Sequence, residues 1–194
     1  MRVSREQMAA NRVRILHEAS RLFRERGFEA VTVSDVMKAA GQTHGGFYGH
    51  FRSKDELVAQ TVAHVLTGDG SEMTDVEAWI DTYLSAQHRD HPAQGCPMAS
   101  LAGLMGQQTP AARAAMAKGL SAQIARFARA LPPGDDAGGD GDEAMRRRAA
   151  IGRWSAMVGA IVMARAVEDP ALADELLTET RAWIGGMPTP ATVS

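Results

Sequence analysis

The stretch AGQTHGGFYGHFRSKDEL, residues 40–57, stands out because it carries four glycines within a region that otherwise has a helical pattern. Each glycine inside a helix costs roughly 0.5–1 kcal/mol relative to alanine. The same stretch also holds two histidines and three aromatic residues. A segment that keeps so many glycines is expected to bring its backbone close to a partner.

The composition is typical of a soluble globular protein with one large or two small domains. The chain has 194 residues, of which 45% are hydrophobic and 23% are charged, so it can bury a sizeable core. Cys96 is the single cysteine, which excludes an intrachain disulfide and favours a reducing, cytoplasmic location. The N-terminus lacks the apolar stretch of a signal peptide. The longest apolar run, residues 156–164, is far shorter than the roughly 20 residues of a membrane span, so we expect no membrane partner.

The net charge of −2 conceals an uneven distribution along the chain. Residues 1–54 hold ten Lys and Arg against five Asp and Glu, whereas residues 55–194 hold eleven against eighteen. A basic first quarter followed by an acidic remainder suggests that the N-terminal part meets a polyanion. Chance variation of solvated surface charge would give the same pattern.

Helical periodicity and helix-boundary residues recur along the whole chain, and no strand pattern of any strength is visible. Loops are predicted at residues 68–71 and 132–143, and disorder in the tail from residue 185. The chain is predicted to be all-α, with about nine helices. Their predicted N-caps are Ser4, Thr32, Thr43, Ser53, Thr74, Cys96, Thr109 and Asp169, and a further helix is predicted at residues 146–166.

The glycine-rich region has the spacing of a helix-turn-helix, with Gly41 in the turn between two short helices. Phe47 and Phe51 fall four residues apart, on a face that can pack inward, whereas His44 and Tyr48 share a neighbouring face that can point outward. The glycines between them leave the helix surface bare, which allows close approach to a phosphate backbone or to base edges. Any helical hairpin with a glycine turn would show the same spacing, so a purely structural role is the alternative.

If the partner is DNA, seven residues of this region are candidates for contacts. Helix N-termini and polar side chains donate hydrogen bonds to phosphate oxygens, and side chains on the outer face of the second helix can reach base edges in the major groove. The candidates are Thr32, Tyr48, His50 and Lys54 for the phosphates, Thr43 and His44 for the base edges, and Gly45 for close approach.

Residues 27–57 closely resemble the DNA-binding domain of the TetR family of transcriptional regulators. In that family a Gly-aromatic pair precedes Thr or Ser, then an Asp-apolar helix, an Ala-Gly turn and a Tyr-x-His-Phe-x-Ser-Lys run. The matching elements here, in the same order, are Gly27-Phe28, Thr32, Asp35-Val36, Ala40-Gly41 and Tyr48-Gly49-His50-Phe51-Arg52-Ser53-Lys54. The resemblance covers about thirty contiguous residues, and the remainder resembles the family only in being all-α and of suitable length.

The resemblance implies a homodimeric repressor that binds operator DNA and responds to a small-molecule effector. It also implies a three-helix DNA-binding domain at residues 1–54 and a larger helical ligand-binding and dimerisation domain at residues 55–194. The last two helices would then pair with those of a second subunit. The positions that match the family's usual DNA contacts are Thr32, Thr43, Tyr48, His50 and Lys54.

Two positions depart from the family pattern. Gln42 stands where an apolar residue is usual, and Gly46 replaces a commonly polar side chain. Thr43 and His44 are then nearly the only base readers, so operator shape is expected to matter more than direct readout.

The second domain carries helical stripes of large apolar residues, several of them methionine or aromatic. Ordinary core packing accounts for most such residues, but Met, Trp and Tyr also form adaptable small-molecule pockets. Together with the resemblance, this predicts a ligand pocket. Its candidate residues are Trp79, Tyr83, Met98, Leu101, Met105, Met116 and Ile124.

Cys96 lies in the stretch QGCPMASLAGLMGQ, at the predicted N-cap of a helix, where backbone N–H groups favour a thiolate. The Gly-Cys pair also resembles a subset of TetR-like regulators that sense electrophiles or oxidants. A half-buried capping cysteine without reactivity is the alternative.

No metal, cofactor or catalytic pattern is recognisable. His88, His91 and Cys96 match no standard zinc spacing, no residue is placed to orient a Cys-His pair, and phosphate-loop and Gly-x-Ser-x-Gly motifs are absent from the sequence. We therefore predict a ligand-responsive transcriptional regulator, most simply a repressor, with no enzymatic activity and no cofactor. The alternative is a helical small-molecule-binding or thiol-handling protein without DNA-binding activity.

Overall fold

The computed structural model describes residues 4–67, 73–132 and 140–186, with only the backbone at 140 and 141. Within these ranges it contains nine α-helices, two 3₁₀ helices and no strand, which confirms the prediction of an all-α protein with about nine helices. None of the helices in these ranges is long and apolar enough to cross a membrane. In chain order they are α1 (Arg5–Arg26), α2 (Val33–Ala39), the 3₁₀ helix His44–Gly49, α3 (Lys54–Thr67), α4 (Val76–Tyr83), α5 (Ala86–Asp90), α6 (Pro97–Leu101), the 3₁₀ helix Ala102–Gln107, α7 (Pro110–Ala130), α8 (Asp140–Ala166) and α9 (Pro170–Gly186).

Several predicted helix starts are confirmed by capping hydrogen bonds. The hydroxyl groups of Ser4 and Ser53 each accept a hydrogen bond of 3.1 Å from the backbone N–H three residues later, and the Thr109 hydroxyl does so at 3.3 Å. The Asp169 carboxylate accepts from the N–H two residues later at 2.9 Å. α1 ends at Gly27, whose φ of 77° lies in the left-handed region that favours glycine.

Two predicted boundaries are wrong. α4 is capped by Asp75 and not by Thr74, because the Asp75 carboxylate accepts a hydrogen bond from the N–H of Ala78 at 2.9 Å. A negatively charged carboxylate stabilises the N-terminus of a helix more than a neutral hydroxyl does. α8 begins at Asp140, so the last residues of the predicted loop belong to the helix. The acidic character that suggested a loop also suits the first turn of a helix. The predicted loop at 68–71 and the predicted disorder beyond Gly186 lie outside the described residues.

The chain forms two compact units, and the first comprises residues 1–68 and 92–119. In this unit α1 packs against α2 and α3, and α6 packs against α1 and α3. α3 thus belongs to the first unit, while the functional division into residues 1–54 and 55–194 stays a prediction. The buried side chains that hold these helices together include Ile15, Leu22, Phe23, Phe28, Val36, Met37, Phe47, Phe51, Leu57 and Val62.

Gly119 lets α7 approach α3 very closely within the first unit. A Cβ atom added at Gly119 would lie 2.4 Å from the Cβ of Leu66, far inside the ordinary contact distance of about 3.5–4 Å between carbon atoms. The Cβ of Leu66 is fixed to the backbone of α3 and cannot rotate away. Hydrogen is therefore the largest substituent that this position of α7 accepts without a shift of one helix.

The second unit comprises residues 69–91 and 120–194. In it α8 packs along α9, and α5 packs against α8. Arg165 of α8 donates hydrogen bonds to the backbone carbonyls of His88 and Arg89 at 2.7 and 3.0 Å, and so satisfies the C-terminal end of α5. On α9, Arg181 forms an ion pair with Glu77 of α4 at 2.9 Å.

Candidate functional site

Thr32 closes a complete capping box at the start of α2. Its hydroxyl accepts from the N–H of Asp35 at 3.1 Å, and the Asp35 carboxylate accepts from the N–H and the hydroxyl of Thr32 at 2.9 and 2.6 Å. These hydrogen bonds, first among them the one from the hydroxyl, lower the pKa of Asp35. Thr32 is exposed, as a DNA contact requires, but its hydroxyl hydrogen is already donated to Asp35 and would have to rotate to meet a phosphate.

The turn after α2 is closed by Gly41, whose φ of 66° requires the left-handed conformation. The N–H of Gly41 donates to the carbonyl of Lys38 at 3.1 Å, and the N–H of Gln42 donates to that of Met37 at 2.8 Å. These bonds satisfy the carbonyls at the end of α2. The position of the predicted glycine turn is therefore confirmed, and the positive φ explains why the residue there is glycine.

The predicted second helix is present only as the 3₁₀ helix His44–Gly49. The expectation that Thr43 caps it through its side chain is wrong, because its hydroxyl makes no capping hydrogen bond. Three glycines in six residues weaken the preference for an α-helix, and a short tight helix is the usual result. Nothing lies within 4 Å of a Cβ atom added at Gly45, so the backbone is open to a partner there.

The two faces of this 3₁₀ helix differ as the spacing predicts. Phe47 and Phe51 are each 1% exposed, with ring centroids 5.7 Å apart. Tyr48 is 72% exposed, although the edge of its ring contacts Phe47 at a centroid distance of 5.3 Å. His44 is exposed as well. A rigid apolar base thus supports an outward face formed by a histidine, a bare glycine and a tyrosine.

Arg12 of α1 holds the end of this segment, and sequence reasoning missed it. Its guanidinium donates to the backbone carbonyl of His50 and to Oε1 of Gln60. The guanidinium carbon also lies 4.4 Å from the ring centroid of Phe51, within the range of a cation–π contact. Since Arg12 is 38 residues from His50 and 48 from Gln60, no local pattern could have indicated this role.

The network continues from Gln60 to the start of α3. Gln60 donates through Nε2 to Oε1 of Glu56 at 2.7 Å, and Oε2 of Glu56 accepts from the N–H of Arg52 at 2.8 Å. Arg12 and Glu56 therefore hold the backbone on the two sides of Phe51. We refer to Arg12, Gln60 and Glu56 as the Arg12 network.

His50 and Lys54 lie on either side of the backbone that Arg12 and Glu56 hold, and both are partly exposed. Burial, and then the positive charge of Arg12, lower the pKa of His50. At neutral pH the imidazole of His50 is thus mainly uncharged, so it can offer a hydrogen bond to a phosphate but little charge. Lys54 supplies the charge at this end of the segment.

The structure divides the seven predicted pocket residues between the two units. Met98, Leu101, Met105 and Met116 are buried in the first unit, where they serve as core. Trp79, Tyr83 and Ile124 belong to the second unit. Of these, Tyr83 is 6% and Ile124 is 9% exposed, and Trp79 is half-buried.

In the second unit, Trp79 and Tyr83 belong to a cluster with Phe127 and Trp154. The rings of Trp79 and Trp154 stack at 5.4 Å with an interplanar angle of 18°, and Trp79 lies 5.6 Å from Phe127. Tyr83 contacts Trp154 at 5.5 Å and, edge-on, the ring of His88 at 4.4 Å. We call Trp79, Tyr83, Phe127 and Trp154 the aromatic cluster. Phe127 and Trp154 are not among the predicted pocket residues, and long-range packing brings them next to Trp79.

Cys96 is half-buried and stands at the N-cap position of α6, as predicted. The expectation that its thiol caps the helix is wrong, since the side chain makes no capping hydrogen bond. Sulfur is a weak acceptor, and α6 has only five residues. Arg24 donates to the carbonyl of the preceding Gly95 at 2.8 Å; burial lowers the pKa of Arg24, and the nearby Cys96 opposes that effect.

No three His, Cys, Asp or Glu side chains within the described ranges are grouped in a way that would hold a metal ion. His88, one of the residues considered for a metal, places Nδ1 at 2.7 Å from the carbonyl oxygen of Tyr83. Burial, and then the charge of Arg165, lower the pKa of His88.

Large apolar side chains on α8 and α9 remain exposed in the second unit. On α8 they are Ile151, Val162 and Met163, and on α9 they are Leu172 and Trp183, each between 41% and 55% exposed. The same two helices also carry buried residues, among them Trp154 and Ile161 on α8 and Leu177 and Ile184 on α9. α8 and α9 therefore have apolar side chains both in the core of the unit and at its surface.

Comparisons with known proteins agree with this architecture. Residues 15–61 match the family described as "Bacterial regulatory proteins, tetR family", and residues 73–180 match "Tetracyclin repressor-like, C-terminal domain". Both descriptions name regulators rather than enzymes. The HTH-type transcriptional repressor KstR2 of Mycolicibacterium smegmatis is 37% identical over 60 residues, which cover 31% of this chain and 29% of that repressor. The chain is thus aligned with less than a third of that relative.

Two solved structures share the fold over nearly the whole chain. One is the reduced form of NemR from E. coli, with a TM-score of 0.71 at 22% identity, covering 94% of this chain and 100% of the other. The second is a TetR-family transcriptional regulator from Cytophaga hutchinsonii, with a TM-score of 0.69 at 18% identity, covering 98% and 100%. Because the C-terminal family match alone extends over more than half of the residues, this chain belongs to the tetR family of bacterial regulatory proteins.

Proposed function

We propose that this protein is a ligand-responsive transcriptional repressor that binds a palindromic operator as a homodimer. The observation that carries the proposal is the outward face of the 3₁₀ helix, where His44, Gly45 and Tyr48 stand exposed on a buried aromatic base. This face lies within the N-terminal family match. The excess of basic residues over positions 1–54 supports attraction to the phosphate backbone, and a chromosomal operator implies a cytoplasmic protein.

The exposed residues suggest a division of roles on DNA. Tyr48 and Lys54 would contact phosphates, supported by His50 as an uncharged donor and by Thr32 once its hydroxyl turns away from its capping partner. Thr43 and His44 would read base edges in the major groove. The Thr43 hydroxyl is not used in capping, which supports this role.

Replacing Tyr48 and Lys54 by alanine tests the DNA-binding proposal. Operator affinity should fall, and loss of Lys54 should reduce the slope of log K against log salt by about 1. Lys118→Ala, which removes the same charge from an exposed position of α7, is the matched control. Unchanged affinity in the double variant would favour the alternative of a helical small-molecule-binding or thiol-handling protein without DNA binding, which the family membership does not favour.

We further propose that α8 and α9 form the dimer interface. Their exposed apolar side chains would be covered by the same helices of a second copy, in an isologous interface that resembles a four-helix bundle. Two heads related by a two-fold axis read half-sites whose major grooves are roughly 34–36 Å apart, or a multiple of that distance. Selection of binding sites from random DNA should therefore recover a sequence with two-fold symmetry, and recovery of unrelated single sites would count against the dimer.

The effector site is proposed to include the aromatic cluster of the second unit. Aromatic side chains offer planar apolar surface to a small molecule. A ligand that binds better to the form with low DNA affinity would release the operator in proportion to that difference in affinity. The test is a compound screen by thermal shift, followed by operator release; ligands that bind tightly and never change operator affinity would contradict the coupling.

Cys96 is proposed as a point of thiol modification that modulates the repressor. It is the single cysteine in the chain and is half-buried beside a guanidinium. Operator release by a quinone should be lost in Cys96→Ser, whereas equal release from both proteins, or resistance of the folded protein to a small maleimide, would leave Cys96 with a packing role.

A further inference from the structure

Five buried side-chain N–H donors of the second unit have no hydrogen-bond partner within the described part of the chain. They are Nε1 of Trp154, Nε of Arg153, Nε of Arg126, Nε2 of Gln123 and Nε of Arg146. Arg146 differs from the other two arginines because it forms an ion pair with Asp142 at 3.1 Å. Trp154 is 4% exposed and Arg153 is 8% exposed, so both side chains are more than nine-tenths buried. Folded proteins pair nearly all of their buried polar atoms. A group of donors without acceptors therefore marks a place where an acceptor from outside the chain would be stabilised.

Four of these donors belong to residues that lie at, or within about one helical turn of, a contact between α7 and α8. The rings of Phe127 and Trp154 lie 6.2 Å apart, which brings the two helices to the same place. Arg126 directly precedes Phe127 on α7, Gln123 stands one turn earlier, and Arg153 directly precedes Trp154 on α8. The Oε1 atom of Gln123 already accepts from Arg126, so the amide has mainly its own N–H groups left to offer.

The missing acceptor is expected to be negatively charged. Arg126 and Arg153 form no ion pair with any residue in the described part of the chain, and Arg153 is almost fully buried. Charged side chains are rarely buried without a partner. The acidic residues that form ion pairs in this unit do so with other arginines, which are Arg89, Arg146 and Arg181.

The surroundings indicate what the rest of the ligand resembles. Trp79 and Trp154 stack at 5.4 Å, and Trp79 is only half-buried, so part of its ring surface remains accessible. A flat aromatic ring packs well against such a surface. A guanidinium can donate two parallel N–H groups to the two oxygens of a carboxylate. This geometry matches a planar acid group better than an anion whose charge is spread over many atoms.

We propose that the second unit binds a small aromatic acid, with its carboxylate on Arg153, Arg126 and Nε1 of Trp154 and its ring against the aromatic cluster. The proposal rests on the proposed ligand-responsive function, because it gives the chemical class of the effector. A neutral compound of the same shape fills the aromatic surface but leaves the guanidinium groups without an anion. Discrimination between an acid and its amide is therefore the property that identifies this site.

The experiment measures binding of 2-naphthoate and of 2-naphthamide to the full chain by titration calorimetry and by tryptophan fluorescence, without DNA. Charge-assisted hydrogen bonds predict that the acid binds at least about tenfold more tightly than the amide. Arg153→Gln and Arg126→Gln should each reduce acid binding at least about fivefold and leave amide binding unchanged. Arg148→Gln, an exposed arginine on the same helix, should change neither.

Equal affinity for acid and amide, or no binding of either compound, would overturn the proposal. The comparison of two probes on the unaltered chain needs no variant, so it stands even if Arg153→Gln fails to fold. Operator binding is measured separately on the same preparation. Acid-selective binding by a protein that does not bind DNA would support this site and contradict the repressor function. Operator binding without acid selectivity would support the repressor function and contradict this site.

Discussion

Replacing Arg12 by methionine is expected to loosen the segment to which we assign DNA binding. Arg12 donates to the carbonyl of His50 and to Oε1 of Gln60, and its guanidinium carbon lies 4.4 Å from the centroid of Phe51. Methionine keeps most of the apolar stem and none of these contacts. The backbone around Phe51 would then be held from the α3 side alone.

The size of the effect follows from these three contacts. A hydrogen bond that involves a charged group contributes roughly 1.5–3 kcal/mol, and a cation–π contact at a partly exposed site roughly 0.5–1 kcal/mol. Both hydrogen bonds of Arg12 are partly buried, so water replaces part of each when the side chain is removed. We therefore expect Arg12→Met to lower the free energy of unfolding by about 2–3 kcal/mol.

Urea unfolding of Arg12→Met, Arg12→Lys and Arg14→Met measures this effect. Arg14 is exposed on the same helix, and among the described residues its side chain donates only to Asn11, three positions earlier, at 2.9 Å. Its replacement therefore removes the same charge with a loss below about 0.5 kcal/mol. Lysine keeps the charge but not the planar fork, and should give an intermediate value. Equal losses for Arg12→Met and Arg14→Met would refute the reasoning.

The DNA readout separates positioning from charge. Arg12→Met and Arg14→Met should weaken binding to non-specific DNA equally, because each removes one positive charge. Only Arg12→Met should also reduce the ratio of operator to non-specific affinity, since it releases the segment next to His50 and Lys54. A preserved ratio would restrict Arg12 to a role in stability.

Three further outcomes are expected. Gly119→Ala should destabilise the protein by about 1–3 kcal/mol in urea unfolding, because its Cβ would overlap Leu66. Gly152→Ala, where the added Cβ meets open space, should be neutral or stabilising by up to about 1 kcal/mol. A change of the same sign in both variants would contradict the steric argument. Because the pKa of Asp35 is lowered, the contribution of its carboxylate to stability is complete above the ordinary carboxylate pKa of about 4 and is lost as the pH falls through the lower pKa of the folded state. In Asp35→Asn the free energy of unfolding should therefore fall less steeply with decreasing pH in the acid range. Trp183→Glu, on the exposed side of α9, should convert the dimer to a monomer in light scattering without loss of helical circular dichroism, and an unchanged mass would place the interface elsewhere.

Much of the fold could be predicted because its signals are local. Gly41 takes a positive φ where the sequence predicts a turn, and Ser4 caps a helix through a residue three positions later. Such features depend on a few adjacent residues. The start of α4 was misplaced by one residue because Thr74 and Asp75 are adjacent and both cap helices, and the carboxylate of Asp75 is the stronger acceptor.

The residues of the candidate site also differ in whether their role depends on neighbouring or on distant positions in the sequence. The exposure of Tyr48 and the burial of Phe47 follow from their spacing within six residues, so sequence reasoning found them. The role of Arg12 depends on partners 38 and 48 residues away, and the stacking of Trp79 on Trp154 joins side chains 75 positions apart. No periodic pattern carries that information.

The interleaving of the two compact units limits how this regulator can be rebuilt. The chain leaves the first unit after residue 68, returns to it at residue 92 and leaves it again after residue 119, in the middle of α7. A hybrid that takes the first unit from one relative and the second unit from another therefore needs three junctions, one of them inside a continuous helix. A single cut near residue 68 would separate residues 1–68 from Met98 and Leu101, which are buried in the same unit. Engineering of new sensors on this scaffold should exchange side chains within the second unit and keep the chain order intact.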